Sequence, residues 1–272
     1  MSPRRLLTEA RVAELAARLT PTEQAVIDTL DRVRLASSPQ LERLHFTGEG
    51  SARTRARRAR RTLARLVELR VLARLERCVG GVRAGSAGYI YALDVAGQRL
   101  ASACGPAGGA RIRRPWTPGA PIVAHTLAVT ELYVRLREAE RVGGPELLAF
   151  DAEPVCWRVF TGIGGGRVTL KPDAFVRLAA GELEHFAFVE VDRATQSAPA
   201  LGRKLKLYRR YFATAREQER FGVFPQVVLL VPSEARKRVA VEVCAAQPPD
   251  SWPLWRVARY DDALTVLAGG RP

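Results

Sequence analysis

Residues 185–193 read HFAFVEVDR, and the two carboxylates in that run limit what the chain can build. Acidic residues are depleted from strands, yet the run alternates as a strand does. Phe186, Phe188, Glu190 and Asp192 fall on one face, and Ala187, Val189 and Val191 on the other. Such a strand is either an edge whose acids are solvated or a surface where acids gather around a positive group. Upstream, residues 174–178 form a second strand, joined to 185–193 by AAGELE. Pairing Leu178 with His185 in a hairpin sets Asp173 opposite Glu190.

The flanking pattern places these strands in a larger sheet. Residues 122–141 have the apolar spacing of a helix, and ELLAFDAEP and VCWRVFTG follow as strand candidates. After the acidic strand a helix is predicted over 199–219, with Leu201, Leu205, Tyr208 and Phe212 as its inner stripe. Lys204 stands beside that stripe, one turn before Tyr208. QVVLLV at 226–231 fits a strand buried on both faces. Ser233 caps a helix running to 244, and WRVARY is a late strand.

This order, with Pro172-Asp173 leading into a strand and Glu190 in the next, resembles the core of the PD-(D/E)XK nuclease superfamily. The resemblance implies a catalytic set of Asp173, Glu190, Lys204 and Asp192, and Mg²⁺ held by Asp173, Glu190 and Glu131. Asp192 stands where that superfamily usually has its Lys, so Lys204 from the next helix is the implied substitute. Two carboxylates with water and phosphate satisfy the octahedral shell of Mg²⁺, which would activate a bound water.

The amino-terminal third has a different character. Thr20, Pro21 and Glu23 form a helix start with a capping box, followed by an apolar stripe at Val26, Ile27, Leu30 and Val33. A short helix over 38–45 with Ser38 as N-cap comes next, then a third over 51–69. Its first half carries Arg53, Arg55, Arg57, Arg58, Arg60 and Arg61. Six like charges packed so closely repel one another unless phosphates lie nearby. Runs at 71–78 and 88–94 flank a basic, Gly-rich connector with Arg77 and Arg83, a β-hairpin pattern. Three helices and a basic hairpin over about residues 18–100 resemble a winged helix-turn-helix domain. That resemblance puts the third helix in the major groove of double-stranded DNA and the hairpin arginines on phosphates.

Charge follows the same division. The chain of 272 residues has a net charge of +15, and 39 of its 43 Lys/Arg are Arg. Residues 1–115 hold 22 Lys/Arg against 10 Asp/Glu, whereas 116–272 hold 21 against 18. Compositional drift alone would spread that excess. The expected organisation is a winged helix domain at 1–103, a Gly/Pro-rich linker at 104–121 and a mixed α/β domain at 122–272.

Lesser features have plain readings. Cys78, Cys104, Cys156 and Cys244 lack paired spacing and read as reduced, buried thiols. No apolar run is long enough for a membrane span, and the first residues lack a signal-peptide core, which gives a cytoplasmic expectation. GIGGGR at 162–167 lacks the Lys-Ser/Thr ending of a phosphate loop and reads as a hairpin loop. The four Trp read as core or interface residues, and His125 as a surface or core His.

Across the chain, His125–Tyr133, Lys171–Phe175, Val189–Thr195 and Lys204–Tyr208 together resemble the bacterial replication-relaxation family. That resemblance implies work on plasmid or other mobile DNA. Two readings follow. One is a Mg²⁺-dependent endonuclease or nickase targeted by its winged helix. The other is a non-catalytic DNA-binding protein, an accessory or regulator of replication, mobilisation or transcription. In it the nuclease-like domain is degenerate and serves homodimerisation or partner contact.

Overall fold

Thr20 starts the first well-packed helix as the sequence predicts. Its side chain accepts from the Glu23 N–H, and the Glu23 carboxylate returns the bond to the Thr20 N–H. The computed structural model describes residues 8–75, 88–104, 118–162 and 164–270. In the first unit the order is α1 (Glu9–Ala17), α2 (Pro21–Val33), β1 (Ala36–Ser37), α3 (Ser38–His45), α4 (Ala52–Glu68), β2 (Leu72–Leu75), β3 (Ile90–Leu93) and α5 (Val95–Cys104). Ser37, not Ser38, caps α3, because its hydroxyl reaches the Gln40 N–H and Gln40 bonds back. Ser51 caps α4.

The strands form a small antiparallel sheet in the order β1-β3-β2, with Leu72 opposite Leu93. The expected hairpin is therefore present. Its connector, with Arg77, Arg83 and Cys78, lies outside the described residues. Val26, Ile27, Leu30, Leu41, Leu63 and Leu66 meet in one core.

The next helix, α6 (Ala120–Arg141), contains the division between two compact units, residues 1–134 and 135–272. The expected linker at 104–121 lies mostly outside the described residues. Thr130 Oγ donates to the Leu35 carbonyl at 2.7 Å, and Arg32 lies over the Tyr133 ring. The helix start therefore belongs with the first unit.

The second unit contains β4 (Glu146–Ala152), β5 (Arg158–Thr161), β6 (Arg167–Leu170), β7 (Ala174–Ala180), β8 (Leu183–Val191), α7 (Ala198–Phe212), α8 (Arg216–Phe221), β9 (Gln226–Val231), α9 (Glu234–Ala245), β10 (Trp255–Arg259) and α10 (Ala263–Leu267). Its main sheet runs β10-β9-β8-β7-β4. It is mixed: β4, β7 and β8 are antiparallel, and β8, β9 and β10 are parallel. β5 and β6 form a separate hairpin closed by the Gly-rich segment. The β7–β8 register is the expected one, Leu178 against His185. The strands reach further toward the turn than expected, leaving Gly181 and Glu182 between them, and Gly181 takes φ +62.

The helix predicted over 199–219 is two helices. α7 ends at Phe212, and Ala215, with φ +56, turns the chain into α8. Leu201, Leu205 and Tyr208 are buried as expected, while Phe212 is 39% exposed and Tyr211 takes the buried place. β9 is buried along almost its whole length. Trp255 is buried in the core, whereas Trp252 is half exposed and is not a core residue. Cys156 and Cys244 are free and buried.

Candidate functional site

Two groups of the predicted residues can be located. The first is the carboxylate cluster. β8 is the central strand of five, so its acids are not solvated edge charges. Glu190 is 3% exposed and Asp192 6%. Each acid has its own cation. Lys204, from α7, pairs with Glu190 Oε2, and its Nζ lies 4.0 Å from Asp173 Oδ1. Tyr208, one turn along α7, donates to Glu190 Oε1 at 2.6 Å. Asp173 accepts the Val191 N–H at 2.7 Å, which locks it across the β7–β8 pair.

The electrostatics follow from that burial. Desolvation pushes the Glu190 carboxyl up to about 7, Lys204 opposes the rise, and Asp173 adds to it. For Lys204, burial favours the neutral amine, but Glu190 and Asp173 outweigh it and raise its pKa. Burial, then the Glu190 charge, raises Tyr208 well above the usual phenol range. Cys156 donates to the Pro172 carbonyl at 3.0 Å and so braces the turn that carries Asp173.

Asp192 belongs to a separate arrangement. Its Oδ2 accepts from Arg236 Nε at 2.7 Å, and its Oδ1 accepts from the Ala194 N–H at 2.7 Å. Arg236 also donates to the Gln196 carbonyl, and Tyr260 donates to the Asp192 carbonyl. These bonds hold the loop that leads into α7, whose Ala194 has φ +59. Glu131, expected as a third metal carboxylate, is engaged in the first unit. It pairs with Arg43 at 2.7 Å and accepts from Gln40 at 3.1 Å. Among the described residues no three His, Cys, Asp or Glu side chains gather as a metal-binding group.

The arrangement therefore does not fit a resident Mg²⁺ as it stands. Two carboxylates are enough donors for that ion. However, both Glu190 oxygens are engaged, and the Lys204 ammonium lies against the position a cation would take. The chemistry open to this cluster without rearrangement is charge pairing in a nearly dry site.

The second group is the arginine face of α4. Arg53, Arg57, Arg58, Arg60 and Arg61 are exposed, and among the described residues none has an ion-pair partner. Arg55 folds back onto the Gly50 carbonyl at 2.7 Å. Farther along, Ala59, Leu63 and Leu66 bury the opposite face. Arg65, at the buried end, pairs with the capping Glu23.

Sequence reasoning missed Tyr208 as a Glu190 partner and Arg236 as the Asp192 partner. It also missed a buried network in which Arg158 donates to Glu217 at 2.6 Å and Tyr211 donates to the same carboxylate. Tyr208 had a signal, since it stands four residues after Lys204 on one helix face. Arg236 and Arg158 had none, because their acid partners Asp192 and Glu217 are distant in the chain.

A model of the replication-relaxation family matches residues 27–227. No curated protein and no solved structure matches the chain.

Proposed function

Because the chain belongs to the replication-relaxation family, we propose that it is a DNA-binding protein of plasmid or other mobile DNA that works without cutting it. The first unit is of winged helix type. In that reading α4 lies in the major groove of double-stranded DNA, and the hairpin after it meets phosphates. The observation that carries the reading is the row of five exposed arginines on α4 with no carboxylate partner among the described residues. Cations early in a helix oppose its dipole and each other. A polyanion removes both costs.

The second unit is read as a PD-(D/E)XK-like domain in which Lys204 has taken the place of a metal ion. A second reading, Mg²⁺-dependent cleavage, is supported by the meeting of Asp173, Glu190 and Lys204 from three different elements. It requires Lys204 to leave the carboxylates.

One assay separates them. Supercoiled plasmid is incubated with the protein in Mg²⁺, Mn²⁺ or EDTA, beside the Asp173→Asn and Glu190→Gln variants. The binding reading expects a gel shift and intact plasmid with all three proteins. Metal-dependent nicking that both variants lose would establish the second reading instead. No shift with any protein would sink both.

A further inference from the structure

Helix α7 carries a charge pattern that the buried cluster does not use. Its sequence, APALGRKLKLYRRYF, holds five Lys/Arg and no acid. Residues 116–272 have 21 Lys/Arg and 18 Asp/Glu, so outside α7 the balance is 16 to 18. The whole cationic excess of the second half is thus concentrated in one helix. Of the five, only Lys204 has an acid partner among the described residues. Arg203, Lys206 and Arg210 are exposed. Spacings of three and four residues put them in one stripe along the solvent side. Leu201, Leu205 and Tyr208 occupy the opposite, buried side. The stripe continues onto the β5–β6 hairpin, since Gly162 lies close against the Arg210 guanidinium, and Arg167 on β6 is exposed and without an ion-pair partner among the described residues.

We propose that the Arg203–Lys206–Arg210 stripe of α7 is a second DNA-contacting surface, borne by the second unit and distinct from α4. The inference rests on the reading of the chain as a DNA-binding protein, and it adds a separate phosphate-binding element to it. Seven residues of helix advance about 10 Å at 1.5 Å each. One DNA strand presents a phosphate about every 3.4 Å along its axis, so three side chains cover about three phosphates. Guanidiniums bind phosphate oxygens in a fork that an isolated carboxylate on a protein partner does not repeat along a line. The stripe offers no base-reading shape, so its contribution is to affinity and not to sequence choice.

The test uses the full chain and measures binding to a short duplex across a salt series. Three variants are compared with the parent: Arg203→Gln/Lys206→Gln/Arg210→Gln, the charge-retaining Arg203→Lys/Arg210→Lys, and a five-fold Arg→Gln change at Arg53, Arg57, Arg58, Arg60 and Arg61. Loss of three phosphate contacts lowers the slope of log K against log salt by about 2.7, at 0.9 per contact. The charge-retaining variant keeps the parent slope, and a circular dichroism melt verifies the fold of each protein. A parental slope in the triple variant overturns the inference, even if the α4 variant loses binding, and leaves an acidic protein as the partner of choice for the stripe. A lowered slope in the triple variant with unchanged binding by the α4 variant would uphold the inference and remove α4 from the proposed function. A parent that binds no DNA overturns both.

Discussion

The exposed face of α4 and the buried end of β8 treat charge in opposite ways. On α4, five arginines have no acid partner among the described residues and face water. Around β8, Lys204 is matched to Glu190, Arg236 to Asp192 and Arg158 to Glu217, all with the acid buried. A buried charge must be paired within the molecule, because an unmatched one carries its full desolvation cost. An exposed charge can stay unmatched, and so remains available to something else. The charges that the fold leaves unpaired are the ones that can bind a partner.

The largest expected effect comes from emptying the α4 face. The five-fold Arg→Gln variant should bind duplex DNA more weakly by about ten-thousandfold or more at about 0.1 M salt, since each of the five lost phosphate contacts costs close to a factor of ten there. Its thermal stability should hold or rise, because repulsion along the helix is relieved. Binding isotherms and a melt check both halves of the statement. A large fall in melting temperature would mean that these arginines support the fold, and the contrast with β8 would collapse.

The opposite pattern is expected at the buried end. Lys204→Met leaves Glu190 without its cation and should cost about 3 kcal/mol in denaturant unfolding, the low end for breaking a buried pair. The low end applies because Glu190 can take up a proton. Combining it with Glu190→Gln should recover much of the loss, because no charge is then left buried. A double variant no better than the single would show that Lys204 acts through packing alone.

Much of this contrast was legible in the chain. The hairpin register followed from alternation in residues 174–192, because one face is buried and a one-residue slip would turn every side chain over. In the first unit α2 followed from its capping box, which acts over three residues, whereas α1 was not anticipated. Less local features were not legible. The break after Phe212 has no Gly or Pro to mark it, and Ala215 takes its left-handed conformation where α7 passes into α8. Glu131 has the position of a metal ligand in a family pattern, yet Gln40 and Arg43 are positioned to take it. Asp192 stands at the superfamily's Lys position, yet the start of α9 supplies Arg236 to pair with it. Which cation reaches a given acid is decided by tertiary packing, and a single sequence carries no local trace of it.

A smaller effect is expected from pH. Burial raises the Glu190 carboxyl from the ordinary glutamate value of about 4.5 to about 7. A raised carboxyl means that the folded state holds this proton in a range where the unfolded state has lost it. Its contribution to stability is therefore fully present below about pH 4.5 and falls as pH rises toward 7. Unfolding free energies of the parent minus those of Glu190→Gln should fall through this window. The slope cannot exceed one proton, about 1.4 kcal/mol per pH unit. A difference that rises with pH would mean that Lys204 holds the carboxylate ionised throughout, and that the pair behaves as a strong salt bridge.

The smallest effect should come from Glu131, and it sharpens the comparison because Glu131 lies between the two extremes. Its pair with Arg43 is short, but both side chains are more than a third exposed. Water and salt screen such a pair, so its worth is under about 1 kcal/mol. Glu131→Gln keeps the shape and an acceptor for Gln40, whose amide also donates to the Leu127 carbonyl at 3.0 Å. The variant should therefore lose less than about 1 kcal/mol and leave plasmid binding unchanged in either Mg²⁺ or EDTA. A loss of metal-dependent behaviour on this substitution would return Glu131 to the carboxylate set from which its partners on α3 remove it. A stability loss alone, with binding intact, would instead mark the Arg43–Glu131 pair as a clasp of the first unit.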